Sequence, residues 1–422
     1  MAILSRLGST FPSAPIPHPS PGLVVFALWL LVFAASSQIM ILAPILPLIS
    51  SSLGIAESLL GTLISAYSLM VGIFAVIAGP FSDRLGRRRI LLLGTGLMTL
   101  ALALHVTVSG YLSFLAVRLL AGVAGGTLSG AAVSYVGDYF PYERRGWATG
   151  WIMSGSAAGQ ILGIPMGVVL AGSFGFRAPF LLFSLAMAAT FVLVFLRLPQ
   201  PDVPLNATPV TLRRAAGDYA VMLRDGRILA AASAYFLMFL GLSLYAVFFP
   251  TWLQSAFSAT PNQIALLFLC GGIANVMVGP AAGRMSDRVG RKRLILTSCL
   301  GLSIVMLLTP HLVRGVAWAY PTFFLAMALV AMRIGPFSAL LTALVGDGQR
   351  GTLMSLAVAL GQVGFGFGAA LAGLIYVEAG YAMTATLAAA SVLAMAITVW
   401  QFVPEPCSRL PLASLSTVEA AE

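Results

Sequence analysis

Residues 228 to 283 contain no charged side chain. A helix crosses the hydrocarbon core with ~20 mostly apolar residues, so this stretch is too long for one crossing. The segment PTWLQSAFSATPNQ inside it supplies the break between two. Charge-free runs counted in the same way number twelve, at roughly 22–49, 57–80, 90–109, 112–138, 146–172, 178–198, 227–254, 262–283, 293–312, 319–345, 351–376 and 380–403. They are called spans 1 to 12. Only 9% of the 422 residues are charged and 59% are hydrophobic, whereas a soluble domain carries about a quarter charged residues. The chain is expected to be an all-α integral membrane protein with twelve transmembrane helices.

The net charge is +10. Its basic residues stand in short clusters between apolar runs rather than along one polar face, which argues for a basic membrane edge and against a nucleic-acid partner. With the N-terminus inside, 19 of the 23 Lys and Arg residues fall at cytoplasmic ends, loops or tails. The positive-inside rule then places both termini in the cytoplasm of a multi-pass inner-membrane protein. Residues 1–21, interrupted by five prolines from 12 to 21, read as a disordered cytoplasmic arm rather than a signal peptide. The proline-containing, charged segment 199–226 reads as a linker between a bundle at 22–198 and a second at 227–403, with 404–422 as a cytoplasmic tail. Cys270, Cys299 and Cys407 form neither a disulfide framework nor a metal cluster, and His18, His105 and His311 are far apart. His105 and His311 fall near outer ends of spans and are expected at the interface. No HExxH, P-loop, GxSxG or CxxC pattern occurs. An enzyme, a metal or a cofactor has no footing here.

The two halves echo each other. Ser82, Asp83, Arg84, Gly86, Arg87 and Arg89 recur 204 residues later as Ser286, Asp287, Arg288, Gly290, Arg291 and Arg293. VGD at 136–138 returns at 345–347, RG at 145 returns at 350, and GQILGIPMGVVLAG at 159 is matched by GQVGFGFGAALAG at 361. Four echoes in one order indicate a duplicated unit.

On these residues the chain resembles the major facilitator superfamily. That family's loop motif, Gly-x-x-x-Asp-Arg-x-Gly-Arg-Arg, is matched by Gly79, Asp83, Arg84, Gly86, Arg87 and Arg88, and again by Gly283, Asp287, Arg288, Gly290, Arg291 and Lys292. The resemblance implies two pseudo-symmetric six-helix bundles with a substrate site between them near mid-membrane, opened to one side at a time. It also implies a small-molecule substrate, an ion gradient, most often of protons, as the energy source, and a monomer in the lipid bilayer. Span 5 is similar to the drug/proton antiporter group's Gly-x-x-x-Gly-Pro-x-x-Gly-Gly. Here Ile164 is inserted between Gly163 and Pro165, and Val168 stands where the closing glycine belongs. Efflux is the reading; import of organic anions, or a membrane sensor without flux, are the rivals.

Arginines at a membrane edge serve topology, but Asp83 and Asp287 do not, and an acid beside hydrocarbon needs a partner. The expectation is a cytoplasmic latch: Asp83 and Asp138 with Arg84 and Arg88, and Asp287 and Asp347 with Arg288 and Lys292. Gly155, Gly159, Gly163 and Gly167 recur every four residues on span 5, where small residues let helices approach closely and Pro165 adds a bend. Arg118 and Arg333 lie within spans, at a cost of at least ~2.5 kcal/mol each, while none of the thirteen acids sits at mid-membrane. That balance favours an anionic or amphipathic substrate, with Arg333 expected at the central cavity. Gln38, Tyr67, Gln160, Asn275 and Gln362 complete the candidate path.

Overall fold

A computed structural model describes residues 20–201, 217, 219–345 and 350–405, without the side chains of residues 79–81, 83, 84, 133, 142, 143 and 351. Among the described residues, eleven helical stretches are long and apolar enough to cross a membrane. The last, Arg350–Phe402, is two helices folded at Gly380, whose φ of 72° no helix contains. It supplies spans 11 and 12, and the fold is all-α, with twelve crossings among the described residues. Apolar side chains such as Leu93, Leu100, Ile304 and Trp400 stand more than half exposed around the outside, a surface suited to lipid.

Several spans depart from a single regular helix. Span 1 is Pro21–Met40 continued by Leu42–Leu53; span 7 is Gly226–Ala246 continued by Phe249–Phe257. Span 4 is Tyr111–Leu128 and Ala131–Tyr139, hinged at Gly130 with φ 74°. Span 5 is Tyr142–Ala158 and Ile164–Phe174, joined by a π-helical turn at Gly159–Gly163. The remaining crossings are Glu57–Leu85, Arg87–Leu104, Arg177–Arg197, Pro261–Val289, Arg291–Leu312 and Val316–Thr342, which are spans 2, 3, 6, 8, 9 and 10.

The packing repeats with the sequence. Span 1 lies on spans 5 and 6, as span 7 lies on 11 and 12; span 2 lies on 4, as 8 lies on 10; span 3 lies on 4 and 6, as 9 lies on 10 and 12. Glycine sets the closest approaches. A Cβ at Gly155 would stand 2.6 Å from the Trp29 carbonyl oxygen, and one at Gly159 3.0 Å from that of Phe33. Gly163 and Gly167 are as tight against Ser37 and Ile41. The four-residue glycine ridge of span 5 is therefore its seat on span 1.

The two sets of six meet along two seams, span 2 against 11 and span 5 against 8. On the first, Gly61 abuts Ala369, a Cβ at Gly373 would lie 2.8 Å from the Ser58 carbonyl oxygen, and the Ser65 hydroxyl donates to the Gly366 carbonyl. On the second, a Cβ at Gly172 would lie 3.2 Å from Pro261. These contacts run from mid-span to the end away from the arginine loops. Toward the arginine loops, Gly146 and Gly150 of span 5 and Gly279 and Gly283 of span 8 face open space. Among the described residues, the contacts between the halves thus gather toward the far end, and the halves part in a cleft toward the basic end.

Gly155→Ala should lower the thermal stability of the detergent-purified protein by about 1–3 kcal/mol, the usual cost of overpacking. Gly146→Ala, whose new Cβ meets nothing within 4 Å, should lower nothing. Equal unfolding midpoints for the two variants in a thermal melt would contradict the ridge.

Candidate functional site

The second glycine of each repeated loop motif makes a turn only glycine tolerates: Gly86 has φ 92° and Gly290 has φ 102°. The turn frees the first backbone N–H groups of the next helix. In the first half the Gln200 Oε1 accepts from the Arg88 N–H at 3.1 Å; in the second the Glu405 Oε1 accepts from the N–H groups of Arg291 and Lys292 at 2.6 and 3.3 Å. Neither cap was anticipated. A signal exists in LPQP at 198–201 and VPEP at 403–406, which close the two halves and bring the caps back beneath spans 3 and 9.

Among the described residues, the charge pairs form within each half and not across the cleft. Arg87 donates from Nε to Asp138 at 2.6 Å and from Nη1 to the Ser82 hydroxyl at 2.9 Å. Asp138 was expected to pair with Arg84 and Arg88. Arg88 instead reaches the Phe195 carbonyl at 2.7 Å, because it leaves the helix start on the side of span 6. Asp287 takes Arg291 at 3.5 Å, four residues on across the Gly290 turn, rather than Arg288 or Lys292. Arg291 also reaches the Ala339 carbonyl at 3.3 Å, and Lys292 that of Val403 at 2.9 Å. Arg288 lines a shallow cavity of about 320 Å³ with Ala281, Arg284, Met285 and Val289. Gly79, Asp83 and Arg84 fall on span 2, but the two side chains, like the whole of Asp347, lie outside the described residues. In the linker region, Asp225 caps span 7 through the Arg227 N–H at 2.9 Å, and the Arg227 guanidinium holds its carboxyl below the usual range.

Within the spans, three expected residues come together. Arg118 is buried, its guanidinium 4.4 Å from the Tyr67 ring centroid, with Nη1 donating to the Gln38 Oε1 at 3.3 Å and Nε to the Leu63 carbonyl at 3.4 Å. Gln38 in turn donates to the Tyr67 hydroxyl at 2.9 Å. The site joins spans 1, 2 and 4. A second pair crosses between the halves: Asn275 Nδ2 donates to the Gln160 Oε1 at 3.2 Å.

Arg333 does not join them. It was expected at the central cavity, yet it is wholly buried, and among the described residues its one hydrogen bond runs to the Cys299 sulfur on span 9 at 4.0 Å. Its Nε and Nη2 have no partner among the described residues. Cys299 in turn contacts Met395 of span 12, so the guanidinium points into the interior of the second bundle. Gln362 is half-buried on span 11, with no hydrogen bond among the described residues. His105 was expected at the interface and is instead buried, stacked 4.0 Å from Phe180 and edge-on to Phe114, with Nδ1 against the Ala101 carbonyl. The turn after span 3 carries its ring inward into that aromatic pocket.

The sequence profile of the Major Facilitator Superfamily matches residues 28–233 and again 231–417. An uncharacterized MFS-type transporter of Bacillus subtilis (strain 168), YwfA, is 26% identical over 386 residues, 91% of this chain and 93% of the relative. Multidrug resistance protein MdtG of Rahnella sp. (strain Y9602) is 24% identical over 301 residues, 69% and 71% of the two chains. Among solved structures, a D-xylose-proton symporter superposes with a TM-score of 0.75 at 20% identity, over 91% of this chain and 98% of its own. The human organic anion transporter MFSD10 (TETRAN) superposes with 0.69 at 20%, over 90% and 100%. The doubled profile match falls on the doubled loop and the doubled packing: this chain belongs to the major facilitator superfamily, whose members are membrane transporters and not enzymes.

Proposed function

We propose that the protein exports a small amphipathic organic compound bearing an anionic group across the cytoplasmic membrane, driven by an ion gradient, most simply of protons. Arg118 carries the reading. Its contacts are an amide oxygen, a backbone carbonyl and a phenol ring, none of which neutralises a guanidinium, and no ion pair to it occurs among the described residues. At 3.3 and 3.4 Å its hydrogen bonds are long for charged donors. A carboxylate in place of the Gln38 oxygen would take two parallel N–H donors and supply the missing charge.

Direction is supported by the relatives named for multidrug resistance, and a proton gradient by the likeness to a proton symporter. The likeness to an organic anion transporter is in keeping with Arg118. The positive-inside rule puts the basic end in the cytoplasm, with both termini there, so the open cleft is the loading state of an exporter. The halves, 22–198 and 227–403, then rock about the two seams. The repeated loops act as the cytoplasmic gate: in this open state Asp138 and Asp287 are held by arginines of their own half, and closure redistributes those pairs.

In proteoliposomes with imposed pH gradients and a panel of organic acids, Arg118→Gln should weaken the apparent affinity by about 10- to 100-fold, the worth of a charged hydrogen bond. An unchanged KM for every acid would remove the anionic group from the proposal. Asp138→Asn should leave membrane insertion and abundance intact while slowing turnover about tenfold or more, through loss of one partly buried ion pair. Wild-type turnover in that variant would mean that the loops serve topology alone.

A further inference from the structure

Span 5 holds one residue more than a regular helix accommodates. The Ile164 N–H bonds back to the Gly159 carbonyl, five residues away, and Pro165 has no N–H while its ring displaces the carbonyl of Ile161. The surplus is absorbed in a single wide turn, a feature concentrated at functional sites. Gly159 and Gly163 of that turn remain seated on span 1. Gln160, between them, faces span 8, where Gly272 leaves room: a Cβ there would stand 3.2 Å from the Gln160 backbone.

There Gln160 meets Asn275 of the other half. Both are half-buried, at the level where the wide turn of span 5 meets span 8. The bond uses one oxygen and one amide nitrogen. The Gln160 amide N–H groups and the Asn275 Oδ1 have no partner among the described residues, and neither atom is enclosed. A donor and an acceptor thus stand side by side, one from each half.

We propose that Gln160 and Asn275 form a clasp between the halves that substrate opens, by offering an uncharged hydrogen-bonding group, a carboxamide, hydroxyl or protonated carboxyl, to the amides that now hold each other. An apolar molecule in the same place would leave both amides unpaired, which is how a polar site rejects an analogue lacking the group. Opening the clasp removes a polar tie across the second seam and so favours release of the far-end seal. The ligand class rests on the transport reading above; the clasp itself rests on geometry alone.

The test reads the seal directly. Ser68 is 1% exposed and packs against Gly366 across the first seam. In a chain with Cys270→Ser, Cys299→Ser and Cys407→Ser, a Ser68→Cys reporter is labelled by a membrane-impermeant maleimide added on the far side only when that side opens. Asn275→Leu and Gln160→Leu should each speed labelling about fivefold, the worth of one neutral hydrogen bond, and the double variant should be no faster than either. Unchanged or multiplicative rates would overturn the clasp. With the clasp intact, benzamide and benzyl alcohol should speed labelling more than toluene, and Asn275→Leu should abolish the difference. Equal effects of the three would overturn the ligand class. No flux enters these readouts, so normal transport by Arg118→Gln would sink the anion reading and leave the clasp standing.

Discussion

Hydrocarbon offers no partner to a backbone amide, so every departure from a regular helix in this chain must satisfy itself. The breaks do so within one turn. The Ile41 N–H bonds to Ser37, that of Val247 to Ser243, that of Ser129 to Gly125, and that of Ile164 to Gly159. The hydrogen bond at each break is therefore kept inside its own span. Two of these breaks, at Ile41 and Val247, occupy equivalent places in the two halves and end the first helix of each just inside the sealed end. The third hinges span 4 beyond Arg118, and the fourth turns span 5 at the seam with span 8. The fold's irregularities coincide with the places where its halves meet or its charges lie.

The same constraint separates the two intramembrane arginines. Arg118 spreads its charge over a carbonyl, an amide and an aromatic face contributed by spans 1 and 2, a polar pocket in which one weak partner can be exchanged for a stronger one. Arg333 has a single sulfur neighbour and two idle nitrogens. An isolated guanidinium in that position costs more than it returns in contacts. Both arginines are buried, so what separates them is the partners around each guanidinium and not their exposure.

How far the sequence could be read follows from what each inference needed. Span number and the tandem repeat were legible because length and charge spacing are one-dimensional properties, and the glycine ridge of span 5 was legible because four-residue spacing is a face. The direction of Arg333 was not. Span 10 is apolar around its whole circumference, so no moment distinguishes the face toward span 9 from the face toward the cleft. The partners of Asp138 and Asp287 were misassigned for a related reason: the helices after the loops begin at a positive-φ glycine, and one residue of rotation there sends Arg87 to the acid and Arg88 to span 6. Gln200 and Glu405 were missed because they are remote in sequence from the helices they cap.

The inserted Ile164 is the case where a mismatch carried the information. Against the antiporter pattern it is a surplus residue that weakens the resemblance. In the fold it is the residue whose N–H closes the π turn, and because the turn absorbs it, Gly167 is still in contact with Ile41 on span 1 beyond it. The two seams exchange places when the halves are exchanged, span 2 for span 8 and span 11 for span 5, yet they are chemically unequal. The first is glycine against backbone, with one serine hydroxyl; the second holds an amide pair able to trade its partner. Steric closeness can hold a seal shut but cannot sense what is in the cleft. If binding is to loosen one seam before the other, the amide seam is the one with a reason to respond.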